Sequence, residues 1–398
     1  MSGRLLRRHP LAVIVLAQLF GTSLWFSVNG VGLSLERALG WTPVEIGWLT
    51  MATQLGFIIG TLVVAATGLA DQVRASRLFA ISAVLGAVAN AAFVLVAGVW
   101  ELALIARMLT GLCLAGVYPL GMKLVISWTP QYRGWALSWL LGMLTLGTAL
   151  PHLLRGATLD LAWPVPVLLA STLALLAALT VARLGDGPHL PVAGRTPGLG
   201  KGFRALRVRE FRAVAGGYFG HCWELYAFWT LVPLLAAREL GRLAMDDALV
   251  PWVAFGVIGL GLAGCVWGGR LSRRLGSLRV ARVALGASGL ACLLYPLLAG
   301  ASAWLLLALM AVWGLAVIAD SPQFSALAAD SAPVDGVGSA LSVMNAVGFA
   351  LTLPSILLTA WLWHDLGLWV LWLLLPGPLL GLWSLARLSG PKPVADAG

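Results

Sequence analysis

The two halves of this chain repeat one another at an offset of about 200 residues. One set of prolines precedes its counterpart by 203 positions, pairing Pro119 with Pro322, Pro130 with Pro333 and Pro151 with Pro354. Phe20-Gly21 likewise precedes Phe219-Gly220 by 199 positions. A repeat this long in an apolar chain indicates a duplicated helical bundle rather than a solenoid of short repeats.

The composition requires a membrane. Of the 398 residues 60% are hydrophobic and 11% are charged, which is too few charges for the polar surface of a soluble fold. Apolar segments of about 20 residues recur along the chain, each able to cross the hydrocarbon core as a helix. We number them 1 to 12, at 10–33, 44–69, 78–98, 101–127, 134–154, 161–183, 209–236, 247–271, 279–299, 302–326, 339–361 and 366–388. The sequence predicts an all-α membrane protein with twelve transmembrane helices.

One polar stretch divides the chain almost evenly. Residues 184–208 are rich in Gly, Pro and cations and contain no apolar segment. We therefore predict an N-terminal six-helix bundle at 1–183, a cytoplasmic linker at 184–208 and a C-terminal six-helix bundle at 209–398. The internal repeat predicts that the two bundles are pseudo-symmetric.

The net charge of +10 follows from the insertion topology. If both termini are cytoplasmic, 20 of the 26 Lys and Arg residues fall in cytoplasmic segments. This asymmetry predicts a multi-pass protein of the bacterial cytoplasmic (inner) membrane and argues against a nucleic-acid partner. We expect anionic lipids around a monomer, with no cofactor or metal. The cysteines lie inside apolar segments without metal-ligand spacing.

Three motifs resemble those of the major facilitator superfamily. The loop after segment 2 carries Gly68, Asp71, Arg74 and Arg77, and a degenerate copy after segment 8 carries Gly269, Arg273 and Arg274. Segment 4 adds Arg107-x-x-x-Gly111. Together with twelve segments and a central loop, these motifs make the chain similar to a poorly characterised bacterial subgroup of that superfamily.

The resemblance implies roles for several of these residues. The two loops would gate alternating access, with Asp71 pairing across the halves on the cytoplasmic side. Segments 1, 4, 7 and 10 would line a central cavity. Segment 5 lacks the Gly-Pro-x-x-Gly-Gly ending of drug–proton antiporters, which weakens an assignment as a drug exporter.

Polar residues concentrate on the four segments that would line the cavity. Segments 1 and 7 each place such residues at spacings of 3 and 4, on one helical face. The candidate solute-binding residues are Gln18, Thr22, Trp25, Asn29, Arg107, Tyr118, His221, Tyr226, Phe228 and Asn345. Arg107 stays charged, so it must be paired or face an anion.

Three residues are candidates for proton coupling. Glu224 lies near mid-depth of segment 7, where a charged carboxylate is costly and a proton can be bound and released. His221 lies one turn earlier and can share that proton. Asp320 stands beside Pro322 in segment 10. A structural role for each residue remains the alternative.

These features predict a secondary active transporter rather than an enzyme. The favoured hypothesis is proton-coupled movement of a small polar, anionic or zwitterionic organic solute by alternating access. A proton-coupled drug or metabolite efflux antiporter is the alternative within this class. A transporter-like membrane sensor and a polytopic membrane enzyme are the alternatives outside it.

Overall fold

The computed structural model describes residues 6–189, 199–333 and 337–388. The side chain of Asp71 lies outside the described part, as do residues 190–198 of the predicted linker. The described residues form helices without strands. The chain is therefore an all-α protein, as predicted.

The helices coincide with the predicted segments. Segments 1 to 6 overlap the helices Pro10–Thr22 with Gly32–Leu39, Pro43–Thr67, Ala75–Val96, Trp100–Leu114 with Tyr118–Trp128, Arg133–Ala157 and Pro164–Leu184. Segments 7 to 12 contain Arg209–Arg242, Val250–Gly259 with Gly261–Leu275, Ser277–Leu297, Ala303–Ala316 with Ser321–Ser331, Val337–Leu366 and Pro376–Ala386. Short helices at Leu69–Gln72 and Leu199–Ala205 lie outside the segments.

Within the described residues, nine helical stretches are long and apolar enough to cross a membrane. One of them, Val337–Ala386, spans 50 residues and contains both segments 11 and 12. Segment 1 is not among the nine because its first helix, Pro10–Thr22, has only 13 residues. Segment 7 is a 34-residue helix that begins and ends with charged residues.

Segments 4 and 10 are interrupted at equivalent positions of the repeat. In segment 4 the break falls between Leu114 and Tyr118, and in segment 10 between Ala316 and Ser321. In each case a proline, Pro119 or Pro322, stands at the start of the second helix. Proline suits a first helical turn because its missing N–H group would have no partner there. The repeated prolines therefore mark two equivalent backbone breaks.

The two halves contact one another through segments 2 and 11 and through segments 5 and 8. Glycines allow these helices to come close. A Cβ atom on Gly47 would lie 2.8 Å from the Cβ atom of Ala360, and one on Gly142 would lie 2.5 Å from Cδ1 of Leu262. The other segments pack chiefly within their own half, so the chain forms two bundles that meet along these helices.

Candidate functional site

A buried arginine holds the interruption of segment 1. Beyond Thr22 the chain continues in turns rather than in a regular helix, which leaves carbonyl groups without helical partners. Nη2 of Arg107 donates to the carbonyl oxygens of Leu24 at 3.1 Å and Trp25 at 2.7 Å. Arg107 is fully buried, so these bonds satisfy groups that no water reaches. The regular face predicted for Trp25 and Asn29 is consequently interrupted.

The same arginine connects three segments of the first half. Nη1 of Arg107 donates to Oδ1 of Asn90 in segment 3 at 2.8 Å and to Oγ of Ser27 at 3.1 Å. Nδ2 of Asn90 continues the network to Oγ of Ser171 in segment 6 at 2.9 Å. Arg107 thus faces the interior of the first bundle, and its partners there are neutral.

Glu224 has a corresponding place in the second half. Its Oε2 accepts a hydrogen bond from Ser288 in segment 9 at 2.8 Å, and its Oε1 accepts one from the indole of Trp313 in segment 10 at 2.7 Å. Glu224 is fully buried. Both carboxylate oxygens are therefore occupied by donors from the same bundle. Phe228, one turn further along, stacks on Trp313 with ring centroids 4.2 Å apart.

His221 and Asp320 form a buried pair at the break in segment 10. Nδ1 of His221 lies 2.8 Å from Oδ1 of Asp320, and their side chains are 2% and 1% exposed. The distance is short, but the groups are poorly aligned for a hydrogen bond. Neither oxygen of Asp320 has a well-aligned donor among the described residues. The structure thus pairs His221 with Asp320 rather than with Glu224.

Aromatic side chains from both halves meet between the bundles. Trp25 stacks on Phe349 at 5.9 Å and tilts against Tyr226 at 5.8 Å. Phe57 contacts Phe349 at 4.6 Å, and Phe26 contacts Tyr226 at 6.1 Å. We call Trp25, Phe26, Phe57, Tyr118, Tyr226, Trp229 and Phe349 the aromatic cluster; Tyr118 joins it through Phe57, and Trp229 through Phe26. Most of these rings are buried.

The other predicted binding residues lie at different places. Thr22 and Asn29 are occupied, because Thr22 bonds to the carbonyl oxygen of Gln18 at 2.7 Å and Asn29 donates to Thr50 at 2.9 Å. Gln18 is buried with neither end of its amide hydrogen-bonded among the described residues. Asn345 is half-buried on segment 11.

The two predicted gating loops end helices at one face of the molecule. Gly68 ends the helix Pro43–Thr67 with φ +65°, a left-handed conformation that glycine adopts without strain. Arg74 occupies the N-cap position of the following helix without a capping hydrogen bond from its side chain, and Arg77 is exposed in the first turn of that helix. Arg273 and Arg274 occupy the last turn of Gly261–Leu275.

Gly269 belongs to the second predicted motif, which the structure places inside the helix Gly261–Leu275 rather than in a loop, and it lies close to segment 5. A Cβ atom at Gly269 would lie 2.2 Å from Oγ of Ser138, so only glycine permits this approach. Segments 5 and 8 therefore touch at this face, and each comes from a different half.

Sequence reasoning missed several residues of these networks. Asn90 and Ser288 are uncharged and stand in segments 3 and 9, outside the four segments expected to line the cavity, yet each connects a cavity-lining segment to its bundle. They are 198 residues apart, so their matched positions in the repeat were a usable signal. No sequence signal distinguishes the aromatic residues between the halves, because apolar side chains are abundant in every segment. These residues are Phe26, Phe57, Trp229 and Phe349.

Known proteins agree with this architecture. The Major Facilitator Superfamily matches residues 13–353 and 214–395. A solved structure described as a bacterial homolog of the human lysosomal transporter Spinster, in an inward-facing and unoccupied conformation, is similar with a TM-score of 0.69. The two chains are 13% identical over 96% of this chain and 94% of the other, a level that shows the shared fold alone. No curated protein matches the sequence.

The family match extends over most of the chain and includes both halves. The fold, the repeat and the paired backbone breaks are those expected of a membrane transporter built from two related bundles. The chain belongs to the Major Facilitator Superfamily. It is an integral, multi-pass membrane protein, and its class is that of the secondary transporters.

Proposed function

We propose that this chain couples proton movement to the transport of a small polar, anionic or zwitterionic organic solute. The halves 1–183 and 209–398 would move against one another as a monomer in the bacterial cytoplasmic membrane, with residues 184–208 as the cytoplasmic linker. The observation that carries the proposal is the buried pair of His221 and Asp320 at the break in segment 10.

That pair has the properties required of a proton site. A carboxylate in a membrane interior is costly unless it is paired and hydrogen-bonded. Among the described residues Asp320 has one ion-pair partner within reach, His221, and its oxygens lack well-aligned donors there. A proton can neutralise Asp320, and His221 is the adjacent group able to share it. Protonation would thereby change the contact between Asp320 and His221 that connects segments 10 and 7.

Glu224 is the second candidate for coupling. Its two oxygens already accept hydrogen bonds from Ser288 and Trp313, so both are occupied within its own bundle. We therefore assign the transported proton to Asp320 and His221. Glu224 in this proposal holds segments 7, 9 and 10 together around them.

A second candidate function is the efflux of an amphipathic drug or metabolite in exchange for protons. The aromatic cluster favours it, because rings from both halves present apolar faces where a solute would pass. Arg107 and Glu224 are turned into their own bundles, so neither supplies a free charge to the space between the halves. Both functions share the proton site and differ in the solute.

The test is transport in liposomes containing the purified protein and a pH-sensitive dye, with pooled anions, zwitterions and amphipathic solutes. We expect one pool to move protons in the wild type. Asp320→Asn should abolish accumulation driven by a pH gradient and leave solute counterflow intact. Full pH-driven accumulation by that variant would remove Asp320 from the role. Solute movement without protons would indicate a facilitator or exchanger.

A further inference from the structure

A cavity of about 450 Å³ lies between the two halves, at the face where segments 1, 5 and 7 end. We call it the outer cavity, since this face is external in the proposed orientation. Its charged and polar side chains come from both bundles, and its lining includes Arg37, His152, Arg155, Pro233, Asp246 and Asp247. The volume is within the usual range for small-molecule sites, about 300–1,000 Å³.

His152 lines this cavity and carries a buried, unpartnered polar atom. The residue is 1% exposed, and its Nε2 has no hydrogen-bond partner among the described residues. The preceding residue, Pro151, is packed against Gly30, where a Cβ atom would lie 2.8 Å from the Pro151 backbone. Segment 5 therefore cannot shift easily to provide a partner. A bound ligand can provide a hydrogen-bond partner for Nε2, because burying this atom without a partner is costly.

Arg155 lies three residues further along segment 5, on the same helical face as His152. Its Nη1 donates to the carbonyl oxygens of Thr158 at 3.1 Å and Leu161 at 3.0 Å. These bonds fix the guanidinium, while its Nε and Nη2 donate to none of the described residues. A fixed guanidinium with two free donors suits a carboxylate, which accepts two parallel hydrogen bonds.

The second half supplies acids to the same cavity. Oδ2 of Asp247 lies 3.0 Å from Nη2 of Arg37, and this exposed ion pair joins the two halves. Oδ1 of Asp246 accepts from the backbone of Ala248 at 2.8 Å, which holds that side chain in place. Asp246 makes no ion pair with the described residues and retains acceptor capacity. Cationic groups of one half thus share a cavity with acidic groups of the other.

We propose that the outer cavity is a binding subsite for a small zwitterionic solute. Arg155 and His152 bind its carboxylate, and Asp246 binds its ammonium group. The proposal rests on the proposed transport function and narrows the solute to zwitterions at this subsite. Because the binding groups belong to different halves, a bound solute bridges the bundles before it reaches the aromatic cluster.

The test uses three probes that share a phenyl ring and differ in charge: phenylalanine, 3-phenylpropionate and phenethylamine. Their binding to the purified full chain is measured by titration calorimetry. We expect phenylalanine to bind about tenfold more tightly than either single-charge probe, since each added charge-assisted contact contributes about that factor. Absence of phenylalanine binding, or equal affinity for all three probes, would overturn the proposal.

Variants assign the two ends of the probe. Arg155→Gln should weaken the binding of phenylalanine and phenylpropionate about tenfold and leave the binding of phenethylamine unchanged. Asp246→Asn should weaken the binding of phenylalanine and phenethylamine only. The variant keeps the hydrogen bond from the backbone of Ala248, because Asn caps as well as Asp. Arg183→Gln, an exposed change at the end of segment 6, is the matched control and should alter nothing. Uniform loss across all probes in Arg155→Gln would contradict the assignment.

Two further measurements separate misfolding and failed coupling from failed binding. Arg155→Lys retains the positive charge but lacks the planar pair of donors of a guanidinium. The variant should therefore lose part of its affinity for the carboxylate at an unchanged melting temperature. The second measurement follows proton movement with phenylalanine in liposomes that contain the wild-type protein. Zwitterion binding that depends on Arg155 without any proton movement would overturn the coupling proposal and leave this one intact. Proton movement with a solute that needs neither Arg155 nor Asp246 would overturn the zwitterion subsite and leave the coupling proposal intact.

Discussion

Nη2 of Arg107 donates a hydrogen bond to the carbonyl oxygen of Trp25 at 2.7 Å, across 82 residues of sequence. The contact joins segment 4 to the interrupted stretch of segment 1 in the interior of the first bundle. Because Nη1 also donates to Asn90 and Ser27, one buried side chain fixes three segments. Arg107 is therefore positioned as a structural cation, and its sequence-based role in binding solute stays a prediction.

Replacing Arg107 with Lys should destabilise the protein. Lysine cannot provide the planar fork, so several of the four accepting groups would lose their donor, at about 1–3 kcal/mol for each buried group left unpaired. We expect a melting temperature in detergent several degrees below that of the wild type. Arg183→Lys, at an exposed position, is the control. A stable Arg107→Lys variant that fails to bind solute would indicate direct solute contact instead.

Replacing Glu224 should affect the bundle according to the hydrogen bonds that remain. Glu224→Gln keeps an acceptor for Trp313 and can still bond Ser288, so its unfolding free energy should fall by no more than about 1 kcal/mol. Glu224→Leu leaves the indole of Trp313 unpaired and should cost about 1–3 kcal/mol, whereas Ser288 can still donate to the carbonyl oxygen of Leu285 at 3.1 Å. Thermal melts measure both effects. Loss of pH-driven transport in Glu224→Gln with retention in Asp320→Asn would assign the proton to Glu224.

A methyl group at Gly111 should separate segments 2 and 4. A Cβ atom there would lie 1.9 Å from the backbone oxygen of Thr53, and backbone cannot move aside as a flexible side chain can. Gly111→Ala should therefore destabilise the protein by about 1–3 kcal/mol or more. Gly256→Ala is the matched control, since a methyl group added to that helical glycine would meet nothing within 4 Å. Equal melting temperatures for the two variants would contradict the close packing.

Reversing the charge of Arg37 should favour opening at the face that it shares with Asp247. The pair is 70% and 59% exposed, so we expect an effect of at most about 1 kcal/mol, or roughly fivefold in the population of the open state. Spin labels at Thr42 and Ser302 would measure the separation of the halves. Arg37→Glu with Asp247→Arg should restore the wild-type distribution. A double variant as open as the single one would show that the pair does not hold this face.

Segment positions were predictable from sequence because hydropathy and length determine membrane helices directly. Pro119 and Pro322 were visible at equivalent repeat positions, whereas the backbone breaks beside them in segments 4 and 10 were found in the structure. The interruption of segment 1 was not visible. It depends on Arg107 binding the carbonyl groups of Leu24 and Trp25, a long-range contact that no local pattern encodes.

The identity of the polar residues in the site was easier to predict than their partners. Glu224, His221 and Asp320 were found because charge is rare in apolar segments. Their pairing depends on how segments 7, 9 and 10 rotate about one another, which periodicity leaves open. Ser288 and Trp313 decide that Glu224 is occupied within its bundle, and both are ordinary residues for a membrane helix.

The aromatic cluster has a consequence for the energetics of the cycle. Five ring contacts join the halves, and at about 1 kcal/mol each they oppose separation by about 5 kcal/mol. A solute with its own flat apolar surface can replace these contacts as the rings part, whereas a fully hydrated one cannot. The empty carrier would then open slowly, which limits uncoupled leak, and turnover would rise with the aromatic surface of the cargo.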